Sequence, residues 1–182
     1  MRTLAIVSVM LCAIPAGSLA DKPKVNRAMI KAMENSIDNR LHGIWPLDPL
    51  EVMGLTQGTY INGYGVVFVS EVNVAPSSGI TPFHPKITPE EYVRIHDKKA
   101  TRIPQLKAAM QEMLLSSASS LDSVPATEQV ALSITLFYWV GENTEGLPQQ
   151  IVMHGSKQAL VKVKSGISDR STLASVLTVE EY

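Results

Sequence analysis

The stretch Thr59-Tyr60-Ile61-Asn62-Gly63-Tyr64-Gly65-Val66 decides the fold of this chain. Asn-Gly between two runs of β-branched and aromatic residues indicates a β-hairpin, because both residues tolerate the positive φ of a two-residue type I′ turn. Such a loop predicts three cross-strand pairs: Ile61 with Tyr64, Thr59 with Val66 and Gln57 with Phe68. The second strand of the hairpin is expected to continue to Ala75.

A helix is predicted on each side of this hairpin. Before it, apolar residues from Val25 to Leu41 recur at steps of three and four, and Gly43 is a natural stop. After it, Thr88-Pro89-Glu90-Glu91 combines a capping threonine, a proline at the first helical position and a glutamate that can bond back to the cap. The apolar stripe of this helix continues beyond Pro104. Since proline removes a backbone donor, we expect a kink or break near residues 100–103.

A second hairpin is predicted in the C-terminal half of the chain. Apolar and polar residues alternate from Gln129 to Val140, and the low charge on both faces is typical of a central strand. The residues 141–146 form the turn, and Gln150 to His154 returns as the antiparallel partner.

The last part of the chain contains short elements. Ser156 and Gly166 fit the two ends of a short helix, whereas Val161-Lys162-Val163-Lys164 also alternates like a strand, and the helix is favoured. A helical turn at 171–177 and a strand from Thr178 follow. This order of elements predicts a single α+β domain, in which two hairpins build an antiparallel sheet and the helices pack on one face of it.

The N-terminus has the three parts of a secretory signal peptide. Arg2 supplies the positive charge, the run from Leu4 to Ile14 is apolar, and Ser18-Leu19-Ala20 provides small residues for the peptidase. We expect cleavage after Ala20, which leaves residues 21–182 as a periplasmic or secreted domain. The apolar run is too short for a hydrocarbon core about 30 Å thick, so no transmembrane anchor is expected after cleavage.

Composition argues against several classes of function. The 182 residues carry 16 Lys+Arg against 17 Asp+Glu, and this balance gives no attraction for nucleic acid, whose binding depends on many unpaired cations. The single cysteine, Cys12, belongs to the predicted signal peptide, so the exported domain would have no thiol for a disulfide, a zinc site or a nucleophile. We recognise no catalytic nucleophile, metal site or cofactor motif, and we expect no cofactor.

The candidate ligand-binding residues are Phe83, His84 and His154. The first two belong to the proline-rich loop from Pro76 to Ile87, and His154 lies at a strand end; binding groups often gather on loops that a rigid scaffold holds. The charged run around His96, with Arg94, Lys98, Lys99 and Arg102, indicates a solvated helix face.

Two functions are compatible with these residues. The first is a non-catalytic domain that binds a protein or a component of the cell envelope, and aromatic residues of the type enriched at interfaces support it, such as Trp45 and Trp139. The alternative is an unrecognised hydrolase with a site near His84 and His154.

The signal peptide generates the first testable prediction. Protein exported by the producing cells should lack residues 1–20, because the peptidase accepts the small residues at 18 and 20. Intact-mass spectrometry of exported material measures this directly. A product that keeps Met1 and stays in the membrane fraction would contradict the prediction.

Overall fold

The computed structural model of the protein describes residues 25–76 and 87–182, so the predicted signal peptide and the central part of the 76–87 loop lie outside it. The helices are α1 (Arg27–Gly43), α2 (Pro89–Ser120), α3 (Lys157–Lys164) and α4 (Leu173–Val176), with a 3₁₀ turn at Arg170–Thr172. The strands are β1 (Glu51–Val52), β2 (Gln57–Ile61), β3 (Gly65–Asn73), β4 (Gln129–Leu136), β5 (Gln150–Ser156) and β6 (Thr178–Glu181). The α+β fold class is therefore confirmed.

The sheet is mixed, which corrects the prediction of an antiparallel sheet. Its order is β1-β3-β4-β5-β6, and β2 also pairs with β3. The central strands β3 and β4 are parallel, in a register that runs from Gly65 opposite Gln129 to Val72 opposite Leu136. Parallel neighbours need a crossover connection, and the 32-residue helix α2 provides it. The hairpin signals of the sequence are local and could not report this pairing.

Alternate residues of the two central strands enter one hydrophobic core together with residues of the helices. From the sheet, the core includes Val66, Phe68, Val72, Val130, Leu132 and Ile134, and from the helices it includes Leu41, Leu106, Met110 and Leu160. The intervening strand positions have their side chains on the other face of the sheet. Among these, Val69 and Glu71 are exposed, and so are Gln57 and Thr59 on the same face of β2.

The β2–β3 hairpin is present, but its register is shifted by one residue from the predicted one. Ile61 lies opposite Gly65 and Thr59 opposite Val67, so the loop has three residues. Among the described residues only glycines have positive φ, and the loop has it at Gly63 (83°) but not at Asn62. A type I′ turn needs positive φ at both positions. The single positive φ and the hydrogen bond from Tyr64 N–H to the Ile61 carbonyl (3.0 Å) fit a type II turn instead.

Gly65 accounts for this shift. Its φ is 136°, and a Cβ atom there would lie 1.9 Å from the carbonyl oxygen of Gln129. The N–H of Gln129 donates to the carbonyl of Tyr64 at 2.7 Å. The hairpin turn is therefore also the place where the backbone of β4 meets β3.

Helix α2 begins as predicted but passes through Pro104 without a break. At its start, the N–H of Glu91 donates to Oγ1 of Thr88 at 3.2 Å. On either side of Pro104, Ile103 and Leu106 are buried in the core. This packing outweighs the cost of a proline inside a helix, which is about 3 kcal/mol, so a break near residues 100–103 is wrong, while a kink there stays a prediction.

The β4–β5 pair is antiparallel as predicted, with Ile134 opposite Ile151, but β4 ends at Leu136 rather than at Val140. Of the described residues 137–140, only the N–H of Phe137 still bonds to a neighbouring strand, donating to the Val72 carbonyl of β3 at 2.9 Å. The N–H of Trp139 donates instead to a carboxylate oxygen of Glu142 at 2.9 Å. A local turn therefore replaces the last strand residues.

The helix favoured for the segment after Gly155 is confirmed as α3. Its first turn is capped by Ser156, whose Oγ accepts from the N–H of Ala159 at 3.4 Å. Gly166, just beyond its end, has a φ of 76°, the left-handed conformation that commonly ends a helix.

Two matched glycine variants test the close approach at Gly65. Gly63→Ala should cost about 1 kcal/mol of unfolding free energy, because alanine must adopt positive φ but meets no atom within 4 Å. Gly65→Ala should cost about 3 kcal/mol, since overpacking against the Gln129 backbone adds to the same strain. Equilibrium urea unfolding measures both values, and equal losses in the two variants would contradict the predicted contact.

Candidate functional site

The candidate site lies where the carboxyl ends of β3 and β4 meet the first half of α2. In sheets with parallel strands, ligands tend to bind outside the carboxyl ends of those strands. Here α2 donates hydrogen bonds to the carbonyls of Val74 and Phe137, which directly follow the two strands. We use the name carboxyl end for Trp45, Asp48, residues 89–105 of α2 and residues 137–146.

Lys99 is the most buried cation of the carboxyl end, with a side chain that has no exposed surface. Its ammonium group donates to the carbonyl of Phe137 at 2.7 Å and to Oε2 of Glu142 at 2.9 Å. It also lies 4.2 Å from the ring centre of Tyr138. Burial lowers the pKa of Lys99, and the hydrogen bond and negative charge of Glu142 oppose this shift. Burial, together with the same charge, raises the pKa of Tyr138 to about 12.

Arg102, one turn further along the same face of α2, makes the corresponding contacts at the end of β3. Its Nη1 donates to the Val74 carbonyl at 2.7 Å, and its Nη2 donates to the carbonyl (2.8 Å) and the carboxylate of Asp48. The guanidinium lies 4.4 Å from the ring centre of Trp45. A hydrogen bond from Lys98 lowers the pKa of Asp48, and the charge of Arg102 acts in the same direction. A cleft of about 410 Å³ opens beside these groups.

Three residues on one face of α2 hold the loop that follows β4. The spacing of Tyr92, His96 and Lys99 brings them to the same side of the helix. The hydroxyl of Tyr92 donates to the carbonyl of Val140 at 3.0 Å, and Nε2 of His96 donates to the carbonyl of Glu145 at 3.1 Å. The second of these bonds raises the pKa of His96.

A cleft of about 330 Å³ lies between α2 and this loop, and we call it the loop cleft. It is lined by Pro89, Tyr92, Val93, His96, Gly141 and Asn143. Its surroundings include two exposed apolar side chains, since Val93 is 60% exposed and Val140 is 97% exposed. The lining of the loop cleft therefore combines polar groups, such as Tyr92 and Asn143, with apolar groups that water reaches.

The buried charged groups of the carboxyl end are used within the fold. Lys99 and Arg102 are each bonded to a carbonyl and paired with a carboxylate. His96 bonds a carbonyl through one nitrogen, and the other lies 3.5 Å from Asp97. Within residues 25–76 and 87–182, no three His, Cys, Asp or Glu side chains are grouped so as to hold a metal ion.

The structure describes only one of the three candidate residues from the sequence. Phe83 and His84 lie outside the described residues. His154 lies on β5 opposite Ala131, and its Nδ1 atom is buried with no hydrogen-bond partner in the described part of the chain. A shared site of Phe83, His84 and His154 stays a prediction.

The pairing of β3, β4 and β5 shows how far His154 lies from the end of β3, shortly before the 76–87 loop. Ala131 lies opposite Val67, and Asn73, the last residue of β3, is six positions further along the strand. Six residues of a β-strand span about 20 Å. His154 is therefore remote from the carboxyl end of β3.

The residues that form the carboxyl end are not among the candidates from the sequence. The charged run of α2 predicts a solvated face, but Lys99 and Arg102 are buried. A signal was present, because both residues lie on the helical stripe of Ile95, Ile103 and Leu106, which belong to the core side of α2. The helical spacing of Lys99 and Arg102, rather than their charge, indicates that they are buried.

Comparison of the chain with protein-family models, curated proteins and solved structures gives no match. In the described ranges, no helix combines the length and the apolar character needed to cross a bilayer.

The buried pair generates a prediction with a control on the same helix. Lys99→Met should cost 3–5 kcal/mol, roughly, because it leaves the carboxylate of Glu142 buried without a cation. Lys107→Met should cost less than about 1 kcal/mol, since its partner Glu181 is exposed.

Chemical denaturation of the two single variants and of the double variant Lys99→Met/Glu142→Gln measures these effects. The double variant should recover part of the loss, because the neutral amide that replaces the carboxylate needs no cation. Equal, small losses at positions 99 and 107 would show that the Lys99–Glu142 pair does not have the stated role.

Proposed function

We propose that the protein is exported and acts as a non-catalytic binding protein, with the loop cleft as its binding site. One observation carries the proposal: Lys99 and Arg102, the buried cations of the carboxyl end, are used internally, whereas Val93 and Val140 next to the loop cleft are exposed. Exposed apolar groups beside a concave, partly polar lining are typical of binding surfaces. Export is supported by the three-part N-terminal pattern.

The contacts of the ionisable groups support binding rather than catalysis. A general base or a nucleophile needs a free reactive atom within reach of the substrate. The ammonium of Lys99 is enclosed between Phe137, Glu142 and Tyr138, and Arg102 cannot act as a base because its guanidinium does not lose its proton. The ammonium of Lys99, the hydroxyl proton of Tyr92 and Nε2 of His96 are therefore committed to holding the loop.

The lining of the loop cleft supports a segment of another protein as the ligand. Its volume of about 330 Å³ is at the lower end for small-molecule sites, and it suits one or two side chains of a peptide. The phenol of Tyr92 and the amide of Asn143 offer polar contacts for a peptide backbone. Glu90, Asp97 and Glu145 are exposed nearby. The expected ligand is therefore an extended segment with an apolar side chain beside a positive charge.

A random peptide library displayed on phage tests this proposal, because it samples all such segments at once. Residues 21–182 should select peptides that contain an apolar residue next to Lys or Arg. Val93→Glu should weaken binding of the selected peptides at least tenfold, because it places a charge where the apolar side chain docks. Fluorescence anisotropy of the labelled peptides measures the change.

Ile167→Glu is the matched control, since Ile167 is also an exposed aliphatic residue, at 78%, but does not line the loop cleft. Binding that Val93→Glu leaves unchanged would contradict the proposed site. Hydrolysis of p-nitrophenyl esters that disappears in His154→Ala would contradict the non-catalytic function and favour the hydrolase alternative.

A further inference from the structure

A second surface lies on the sheet face that points away from the core. Across β3, β4 and β5 it presents two rows of aligned residues, Val67–Ala131–His154 and Val69–Ser133–Val152. The valine side chains of β3 project from this face, and Val69 is 45% exposed. The smaller side chains of Ala131 and Ser133 on the adjacent strand β4 are buried. This face therefore has a ridge, formed by Val67 and Val69, beside a groove, formed by Ala131 and Ser133.

The chemistry of this face is that of an interface with an apolar centre and a polar rim. Around the ridge and the groove lie Gln57, Thr59, Glu71, Thr135, Gln150, Thr178 and Glu180. The described strands place neither lysine nor arginine on this face. A second copy of the same face therefore brings no cation into the apolar centre.

We propose that this face binds a second copy of the chain in a two-fold dimer, whose axis runs along the strands between β3 and β4. Rotation by 180° about this axis exchanges β3 with β4 and keeps each residue at its height along the strands. Val67 then faces Ala131 of the partner subunit, and Val69 faces Ser133 of the partner subunit. Each ridge lies over a groove, which is the self-complementarity that an isologous interface requires.

The same rotation keeps like charges apart. Glu71 faces Thr135 of the partner subunit, because these positions are aligned in the β3–β4 register. Strand β6, which carries Glu180, is the outermost strand and lies beyond the overlap. Glu51, the third acidic residue of this face, lies on the edge strand β1 opposite Asn73 and beyond the Glu71 row, so the carboxylates lie at the margin of the overlap or outside it.

The area over which the two sheet faces overlap predicts the affinity of this dimer. Four strands at about 4.8 Å spacing and four residue rows of about 6.6 Å give a projected area of about 500 Å² per copy. The two copies together bury about 1,000 Å², at the low end for specific protein interfaces. We therefore expect dissociation in the micromolar range.

Sedimentation velocity of residues 21–182, from about 1 to 500 μM, tests the dimer. The unmodified protein should change from monomer to dimer over this range. Val69→Lys should raise the dissociation constant at least tenfold, because it buries a charge against the groove, while Ile167→Lys should leave it unchanged. Thermal unfolding at low concentration confirms that each variant is folded.

A mixing experiment tests the ridge-over-groove geometry. Val69→Glu and Ser133→Lys should each be monomeric alone. Their equimolar mixture should form a heterodimer, because residue 69 of one copy faces residue 133 of the other with the opposite charge.

Three results would overturn the proposal: an unmodified protein that stays monomeric at 500 μM, roughly, a dimer that Val69→Lys does not weaken, or a mixture that remains monomeric. A protein that stays monomeric would show that this sheet face does not bind a second copy of the chain. The second result would place the contact on another surface.

Discussion

The structure depends on two cations that α2 delivers to the carboxyl ends of a parallel strand pair. The carbonyls of Val74 and Phe137 accept hydrogen bonds from Arg102 and Lys99, each at 2.7 Å. A buried cation is costly unless a carboxylate compensates it. The two segments that supply the carboxylates, around Asp48 and Glu142, are therefore fixed against α2. The cleft beside Arg102 is lined by Asp48, and the loop cleft is lined by the neighbours of Glu142. Both clefts therefore depend on the pairing of a buried cation with a carboxylate.

Interactions between residues close in sequence could be predicted from the sequence, and those between distant residues could not. The caps at Thr88 and Ser156 and the turn at Asn62-Gly63 involve partners within three residues. The register of the hairpin instead depends on the contact of Gly65 with Gln129, on a strand that only the crossover brings close. The parallel pairing of β3 with β4 is of the same kind. The α+β fold class could therefore be predicted, whereas the parallel β3–β4 pairing and the register of the β2–β3 hairpin could not.

The candidate site was harder to predict because its members have residue types that usually face water. A lysine or an arginine is rarely buried unless it is paired, so a run of charges suggests a solvated surface. Glu142 and Asp48, which permit the burial of Lys99 and Arg102, are far away in the sequence. Only the helical spacing placed the two cations on the core side. The chemistry of the site thus arises from pairs that form after the fold has assembled.

The two proposed surfaces are related through the direction of the central strands. An axis parallel to β3 and β4 leaves the strand direction unchanged, so the carboxyl ends of both copies lie at the same end of the dimer. The two loop clefts would then face the same side and could engage one partner together. When a partner repeats its binding segment, the second contact becomes intramolecular, and overall affinity can exceed that of one site by a factor of about 10² or more. A small cleft that binds weakly alone is then sufficient for stable attachment to a repetitive partner.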